Sequence, residues 1–374
     1  RLLAAALLTS TSCFGGGSPS ASDDEDADPD RPGEDAGGDG GDGGDAESRE
    51  DGDAPGDAPG DASGIIDVGG EEVLLAEGWS AEVAMDFSEQ FRVPAEPFID
   101  HAEAWEYPDE LFLLPSPFPE GLGLIAGRRI LVLAPPDHYE EHDYTPASID
   151  GSGPDVPVQA HAVTDFAGEA ALFLSSSSWN SGDGVYRIEP DWSISRLSSE
   201  NNVLAVLADP EGRYDGRGVP TLYWGLYSGL RRDGGETVFT GPRLHECALV
   251  AWDDLLCVTS TGDDWDPQRL ELFSSGAHLV TVVLDEADIL SLVTGDGVRA
   301  VTSVFAVMDL VVLLEVSLDG AVTLVGSPLD AGWEWVAGVI PPEDHALAGD
   351  GALYLLERNV DAHRFRILRL TPPA

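Results

Sequence analysis

The sequence predicts an all-β protein that folds as a β-propeller, and three observations lead to this prediction. Two short apolar strands around a turn of Asp, Gly, Ser or Pro recur at residues 185–197, 229–239, 270–282 and 314–325. With Asp191, Gly234, Gly276 and Gly320 as turn markers, these hairpins are 43, 42 and 44 residues apart, and a four-stranded blade uses roughly 40–50 residues. Near-continuous apolar strands accompany the hairpins, as expected of sheets buried on both faces.

The apolar strand pairs predict six blades. Each pair is taken as the inner part of a blade, at residues 118–124 and 129–133, 163–164 and 171–174, 204–207 and 221–224, 248–250 and 255–258, 300–302 and 310–313, and 336–339 and 352–356. The blades then begin near residues 116, 158, 200, 241, 285 and 327. Seven blades are the alternative if residues 79–115 form a blade of their own, and a β-sandwich is the alternative fold.

An N-terminal strand is expected to close the ring. Propellers often remove their open sheet edge in this way. The last apolar strand, at residues 366–373, has no outer partner after it, and the segment around Val73 is predicted to supply one. The propeller domain is therefore assigned to residues 65–374.

The charge of the chain excludes some classes of partner. The sequence has 69 acidic and 19 basic residues, a net charge of −50, and every basic residue is Arg. Such a negative field repels nucleic acid and anionic membrane surfaces. It favours solubility, divalent cations and basic partners.

Residues 1–20 resemble a bacterial lipoprotein signal. An apolar run at residues 2–8 is too short to span a membrane, and small residues at 9–12 lead to Cys13 and a Gly-rich stretch. The resemblance implies that Cys13 becomes the lipidated first residue of the mature protein. The sequence departs from the family pattern at Ser10, where Leu is usual, and an ordinary cleaved signal is the alternative.

Residues 21–64 form a low-complexity linker of Asp, Gly and Pro. They offer almost nothing apolar to bury, and their like charges repel, so the segment is expected to be disordered and extended. Gly-Gly-Asp steps resemble calcium-binding β-roll repeats, but the nonapeptide period is absent. A spacer that holds a domain away from a membrane is the preferred interpretation.

One short motif points to a propeller enzyme family. Residues 119–121, Pro-Glu-Gly, resemble the first-blade motif of gluconolactonase and regucalcin-like lactonases, in which this Glu is a metal ligand. The resemblance implies that Glu120 binds a metal. The Asn and Asp motifs that complete the family's metal site are not found. The globular region is similar to six-bladed propellers of the broad sensor and lactonase type.

Two further patterns could bind cations. Residues 138–142 match H-x-x-E-H, the inverted zincin motif, which requires a helix; flanking prolines favour a solvated acidic loop instead. Asp263, Asp264 and Asp266 lie in a loop between the second and third strands of a blade, and residues 209–216 form another acidic loop. Calcium prefers such oxygen-rich loops, and solvated loops are the alternative.

Cys247 and Cys257 are predicted to face each other across a hairpin. Each lies five residues from Trp252, at the centre of that hairpin. A disulfide is expected if the protein is exported into oxidising surroundings. Two buried free thiols are the alternative.

The sequence therefore predicts an exported, lipid-anchored monomer whose propeller is a binding or scaffolding module facing the periplasm or the cell surface. Its ligand could be a protein or a small molecule. No nucleophile elbow, Walker loop or dinucleotide-binding glycine motif is found, which favours a non-catalytic role. A metal-dependent lactonase-like hydrolase is the alternative, and acidic side chains converging at one mouth of the pore would distinguish it. A purely structural envelope protein without a small-molecule site is the third hypothesis.

Overall fold

The computed structural model describes most of the second part of the chain. The described residues are 64–86, 111–118, 120–126, 129–143, 157–176, 183–250, 254–260, 269–274, 277–282, 288–293, 300–306, 310–316, 322–329, 332–341, 345–347, 350–359 and 364–373. All regular elements in these ranges are β-strands, within a compact unit that spans Ala62–Ala374. The described residues contain no helix that is long and apolar enough to span a membrane.

The strands form six antiparallel sheets. The first three strands are β1 (Gly64–Val68), β2 (Glu71–Leu75) and β3 (Ser80–Asp86), and they join sheets formed later in the chain. The first sheet contains β4 (Leu111–Pro117), β5 (Glu120–Ala126), β6 (Arg129–Ala134) and β7 (His138–Asp143). The second contains β8 (Pro157–Phe166), β9 (Glu169–Ser176), β10 (Gly184–Ile188) and β11 (Ile194–Ser198). The third contains β12 (Val203–Asp209), β13 (Thr221–Leu226), β14 (Gly229–Arg232) and β15 (Thr237–Thr240).

The remaining sheets continue this order. The fourth contains β16 (Arg243–Val250), β17 (Asp254–Ser260), β18 (Arg269–Ser274) and β19 (Ala277–Val282). The fifth contains β20 (Asp288–Val293), β21 (Ala300–Ala306), β22 (Leu310–Val316) and β23 (Val322–Pro328), followed by β2 and β1 at its outer edge. The sixth contains β24 (Trp333–Val339), β25 (Leu353–Asn359), β26 (Arg364–Thr371) and, on its outer side, β3.

The six sheets contact one another through their first strands. The first strand of each sheet lies at one edge and is called here the innermost strand, and each following strand pairs antiparallel on its outer side. The innermost strands contact their neighbours in the order β4, β8, β12, β16, β20 and β24, and β24 also contacts β4. This up-and-down arrangement of four-stranded sheets is that of a β-propeller. The predicted all-β propeller is confirmed, and the β-sandwich alternative is wrong.

Apolar side chains fill the space between neighbouring sheets. Between the first and second sheets, Leu114 and Ile125 pack in one buried cluster with Leu172, Leu174 and Ile188. Alternate residues of a strand point to opposite faces, so a strand that is apolar throughout can contribute to two such clusters. This is why the sequence shows continuous apolar strands rather than an alternating pattern.

The repeated hairpins are the third and fourth strands of the sheets. Asp191 lies in the turn between β10 and β11, where its carboxylate accepts a hydrogen bond from the Ser193 backbone N–H. Gly234 lies in the turn between β14 and β15 with a φ of 83°, a conformation that favours Gly. The markers Gly276 and Gly320 lie outside the described residues.

Two strand assignments from the sequence were wrong. Residues 118–124 fall mainly in β5, the second strand of the first sheet, and the innermost strand is β4. Pro115 and Pro117 made β4 look irregular, but an innermost strand is a sheet edge, where a missing N–H is tolerated. In the fifth sheet, residues 300–302 belong to the second strand, β21, because the innermost strand β20 had not been recognised.

The N-terminal strand that completes the sixth sheet is β3, and the prediction of the segment around Val73 was wrong. β3 pairs with β26 in a register that joins Ala81 to Leu370. Val73 lies in β2, which pairs with β23 of the fifth sheet. Its side chain and that of Leu75 are buried in a cluster with Trp335 from the sixth sheet. The sequence pattern of the two strands is similar, so only these long-range contacts distinguish them.

A buried ion pair lies inside the sixth sheet. Arg366 is 1% exposed and Glu357 is 0% exposed, and the Arg366 guanidinium donates to the Glu357 carboxylate. Trp335 Nε1 donates to the same carboxylate at 3.0 Å, and the Arg366 guanidinium lies 4.2 Å from the ring centre of Trp333. Burial raises the pKa of Glu357, and the two donors act in the opposite direction. If either partner were removed, the other would be a buried charge without a counter-ion.

We expect Glu357→Leu to destabilise the protein by about 3–5 kcal/mol, because it leaves the buried Arg366 charge without its partner. The double variant Glu357→Leu with Arg366→Leu should lose less than Glu357→Leu alone. The exposed pair Arg369 and Glu82, 3.1 Å apart, is the control, and Glu82→Gln should cost at most about 1 kcal/mol. Urea denaturation measures all three, and equal losses for Glu357→Leu and Glu82→Gln would contradict the assignment.

Candidate functional site

The innermost strands of neighbouring sheets contact each other, and one polar side chain links three of them. The Oε1 atom of Gln159, in β8, accepts a hydrogen bond from the backbone N–H of Val206 in β12 at 3.0 Å. Its Nε2 atom donates to the backbone C=O of Cys247 in β16, also at 3.0 Å. Gln159 is only 6% exposed. Its amide therefore connects the second, third and fourth sheets where they converge.

The free edges of the innermost strands explain why this contact exists. Val206 and Cys247 are buried, and a buried backbone N–H or C=O without a partner is costly. An amide side chain carries both a donor and an acceptor, so one Gln satisfies one group of each kind. Gln159 also presents its own backbone C=O to the Ser175 hydroxyl at 3.3 Å.

His161 lies two residues further along β8, on the same face as Gln159. Alternate residues of a strand share a face, and this face of β8 is directed toward the third sheet. Burial lowers the pKa of His161 to about 4. The imidazole is therefore neutral near pH 7, and it contributes hydrogen-bonding atoms rather than a positive charge.

A second polar group lies at one end of the fourth sheet. His245 Nε2 lies 2.8 Å from Ser260 Oγ, at a point where the register between β16 and β17 shifts. Burial and the positive charge of Arg243 lower the pKa of His245 to about 4, and the Arg243 guanidinium lies 4.6 Å from the ring centre of Tyr227. Ser260 is only 1% exposed, so a substrate could not reach its hydroxyl without a rearrangement.

The two cysteines of the fourth sheet lie opposite each other in adjacent strands. Cys247 in β16 pairs in register with Cys257 in β17. Their Cα atoms are 4.2 Å apart, so their side chains are close enough to form a disulfide. Both side chains face the buried cluster that the third and fourth sheets share. The pair thus lies beside the carbonyl that Gln159 binds.

Most of the predicted metal ligands lie outside the described residues. This applies to Asp263, Asp264 and Asp266, as it does to the predicted lipidation site Cys13. Glu120 begins β5 and pairs with Pro117, so it is on a second strand rather than an innermost one. In the described ranges, no three His, Cys, Asp or Glu side chains are grouped so that they could hold a metal ion.

The H-x-x-E-H segment is a strand, and the prediction of a loop was wrong. It forms most of β7, the outermost strand of the first sheet. Residues four apart on a strand are separated by about 13 Å, whereas the zincin motif needs the about 6 Å of one helical turn. Instead, Glu140 lies between His138 and His142, at 3.8 and 3.7 Å, and the His142 ring stacks on Trp192.

The acidic loop at residues 209–216 is held by hydrogen bonds within the protein. Asp209 is fully buried, and its Oδ2 atom accepts from the Tyr214 backbone N–H at 2.9 Å. Asp215 Oδ2 accepts from Arg232 Nη1 at 2.6 Å. These carboxylates are thus engaged by N–H donors, and their arrangement fixes the conformation of the loop.

Sequence reasoning missed Gln159, the central residue of this site. A single Gln in an apolar strand carries no motif, and its partners are 47 and 88 positions away in the chain. The one available signal was a polar amide in a segment that should be buried, since such groups require partners.

Comparison with known proteins gives weak similarities only. No family model matches the chain, and no curated protein sequence matches it. It is similar to BBS1N in its complex with ARL6DN soaked with lead, with 13% identity, coverage of 67% of this chain and 88% of that chain, and a TM-score of 0.39. The WD40 propeller domain of Doa1 is 9% identical, with coverage of 68% of this chain and 90% of that chain and a TM-score of 0.39. A putative gluconolactonase is 12% identical, with coverage of 54% of this chain and 84% of that chain and a TM-score of 0.26.

We expect Gln159→Met to destabilise the protein, because each of the two backbone groups that lose their partner costs about 1–3 kcal/mol. Gln159→Glu keeps the acceptor for Val206 but directs an anionic oxygen at the Cys247 carbonyl, so its loss at pH 7 should be at least as large. Protonation restores a donor, and the loss should shrink as the pH falls from about 7 to about 5. Urea denaturation of both variants at both pH values tests this.

The Gln159→Met variant is the control for the pH effect, since it has no group that titrates at this position. Its loss of stability relative to the wild type should be the same at both pH values. A loss for Gln159→Glu that is small, or that does not change with pH, would show that the amide does not bridge the inner strands.

Proposed function

We propose that this protein is an exported, lipid-anchored β-propeller that serves as a binding or scaffolding module at the bacterial cell envelope. The observation that carries the binding role is that Gln159, in β8, bonds to the backbones of two other innermost strands, β12 and β16. Both ends of its amide hold the sheets together, so this polar group serves the structure of the domain. The loops and outer sheet edges are then the surfaces on which partners bind.

The proposal includes six blades in a closed ring. It is supported by the six sheets, by the contacts of each innermost strand with the next, and by the pairing of β3 with β26. Residues 80–86 and 111–117 belong to different sheets, which argues against a seventh blade in that region. A closed ring has no exposed edge between its first and last blades.

Export and anchoring are proposed from the N-terminal sequence and from the cysteines. Cys13 follows an apolar run and small residues, and the acidic segment at residues 21–64 provides a long spacer. Cys247 and Cys257 face each other in register on adjacent strands, and disulfides persist mainly in oxidising compartments. We propose that this pair is oxidised and that the protein works as a monomer in the periplasm or at the cell surface.

Substitution of Cys13 tests the anchor. The full chain, expressed in a bacterial host supplied with an alkyne-labelled fatty acid, should carry the label and sediment with membranes. Cys13→Ser should lose the label and move to the soluble fraction, because a covalent lipid provides the membrane affinity. Cys257→Ser is the control and should keep the label. A Cys13→Ser protein that stays in the membrane fraction would contradict lipid anchoring.

Metal analysis tests the binding role against the lactonase-like alternative. The soluble Cys13→Ser chain is purified, its metal content is measured, and its thermal melting is compared with and without a chelator. A binding module predicts no stoichiometric metal and an unchanged melting temperature. One bound calcium or zinc per chain, together with a melting temperature lowered by the chelator, would favour a hydrolase. Glu120, Asp263, Asp264 and Asp266 would then be the first residues to substitute.

A further inference from the structure

The hairpin of β1 and β2 extends the fifth sheet by two strands. β2 pairs with β23 through three residue pairs, among them Leu75 with Gly326. A Cβ atom on Gly326 would lie 2.6 Å from the Leu74 carbonyl oxygen, so the close approach of the two strands requires Gly there. Val68 and Val73 are buried in the cluster shared with the sixth sheet. The hairpin is thus anchored in the core on one face.

Among the described strands, none pairs with the outer edge of β1, the outermost strand of this extension. β1 is the last strand of its sheet among the described residues. Its Ile65 is 61% exposed, which is more than the 49% of Leu197 on β11. Folded proteins usually protect a protruding edge strand with charges or a bulge because its backbone can pair with another strand. An exposed apolar side chain on such an edge is typical of an interaction site.

The exposed face of the hairpin combines an apolar pair with an acidic pair. Ile65 lies opposite Leu74, and Asp67 lies opposite Glu72. Asp67 and Glu72 are both exposed, so this end of the exposed face is acidic. A cationic side chain on an added strand would lie beside the Asp67 carboxylate. An apolar side chain two positions away would cover Ile65, because alternate residues of a strand share a face.

The charge of the domain narrows the choice of partner. Residues 1–63 hold 17 of the 69 acidic residues and 3 of the 19 arginines, which leaves 52 acidic residues and 16 arginines in residues 64–374. The acidic tether and a second copy of the domain both carry the same sign of charge as the edge. A basic segment is complementary to it.

We propose that β1 is a docking strand for an extended segment of a partner protein in which a β-branched apolar residue and a basic residue lie two positions apart, on the same face of the segment. The segment adds to the outer edge of β1 by backbone hydrogen bonds, with an apolar side chain beside Ile65 and a basic side chain beside Asp67. This inference rests on the proposed binding role and specifies one surface and one class of partner for it.

The test uses a fluorescent peptide with the repeat Val-Thr-Arg-Thr, which places Val and Arg on one face of an extended strand. Its binding to the soluble Cys13→Ser chain is followed by fluorescence anisotropy at physiological salt. Binding should be saturable. Ile65→Lys should weaken it at least about tenfold, because the apolar contact is lost and the added Lys repels the basic peptide. Leu197→Lys is the matched control, since it makes the same change at an exposed position of another edge strand. It should change the affinity by less than about twofold.

Several outcomes would overturn the inference. A peptide with the repeat Val-Pro-Arg-Pro has the same charge and the same valines but cannot pair with a strand edge. Equal binding of that peptide would show diffuse attraction to an acidic protein. Equal effects of Ile65→Lys and Leu197→Lys would also show diffuse attraction. An absence of binding would contradict the proposal that β1 is a docking strand. A dimer in light scattering that Ile65→Lys dissociates would make a second copy the occupant. None of these results affects the test of the membrane anchor.

Discussion

The free edges of the innermost strands are the constraint on which this propeller depends. Each innermost strand is the edge of its sheet, and the edge positions at Val206 and Cys247 are buried. Gln159 meets this constraint for the second, third and fourth sheets, because its amide provides an acceptor for Val206 and a donor for Cys247. In the first sheet, Pro115 and Pro117 meet it differently, since proline has no N–H that needs a partner.

The two ends of the domain are joined by a different interaction. β3 adds to β26 in the sixth sheet, and β1 and β2 add to the neighbouring fifth sheet. The buried pair of Arg366 and Glu357 lies within the sixth sheet, and a Cβ atom on Gly69, in the turn of the first hairpin, would lie 3.2 Å from Arg366 Nη1. Strands from the beginning of the domain thus pack on the last sheet. The folding of the first strands and the folding of the last sheet therefore depend on each other.

Local patterns in the sequence predicted the repeated part of the fold, and long-range contacts decided the rest. The hairpin turns at Asp191 and Gly234 were predictable because turn conformation depends on a few neighbouring residues. The strand that completes the sixth sheet was not, because β2 and β3 have similar patterns and only their distant partners differ. The site was largely hidden for the same reason: Gln159 has no motif. The facing positions of Cys247 and Cys257 could be predicted because a short hairpin fixes its own register.

The balance of charge links this architecture to its function. The few cations of the domain are largely committed to structural pairs such as Arg366 with Glu357 and Arg232 with Asp215, and the excess acid is left to the surface. A surface of this kind selects partners by charge before contact, since long-range attraction steers encounter. Specificity then needs a shape that charge alone does not provide. The protruding edge of β1 supplies it, because a strand edge accepts only an extended backbone in a fixed register.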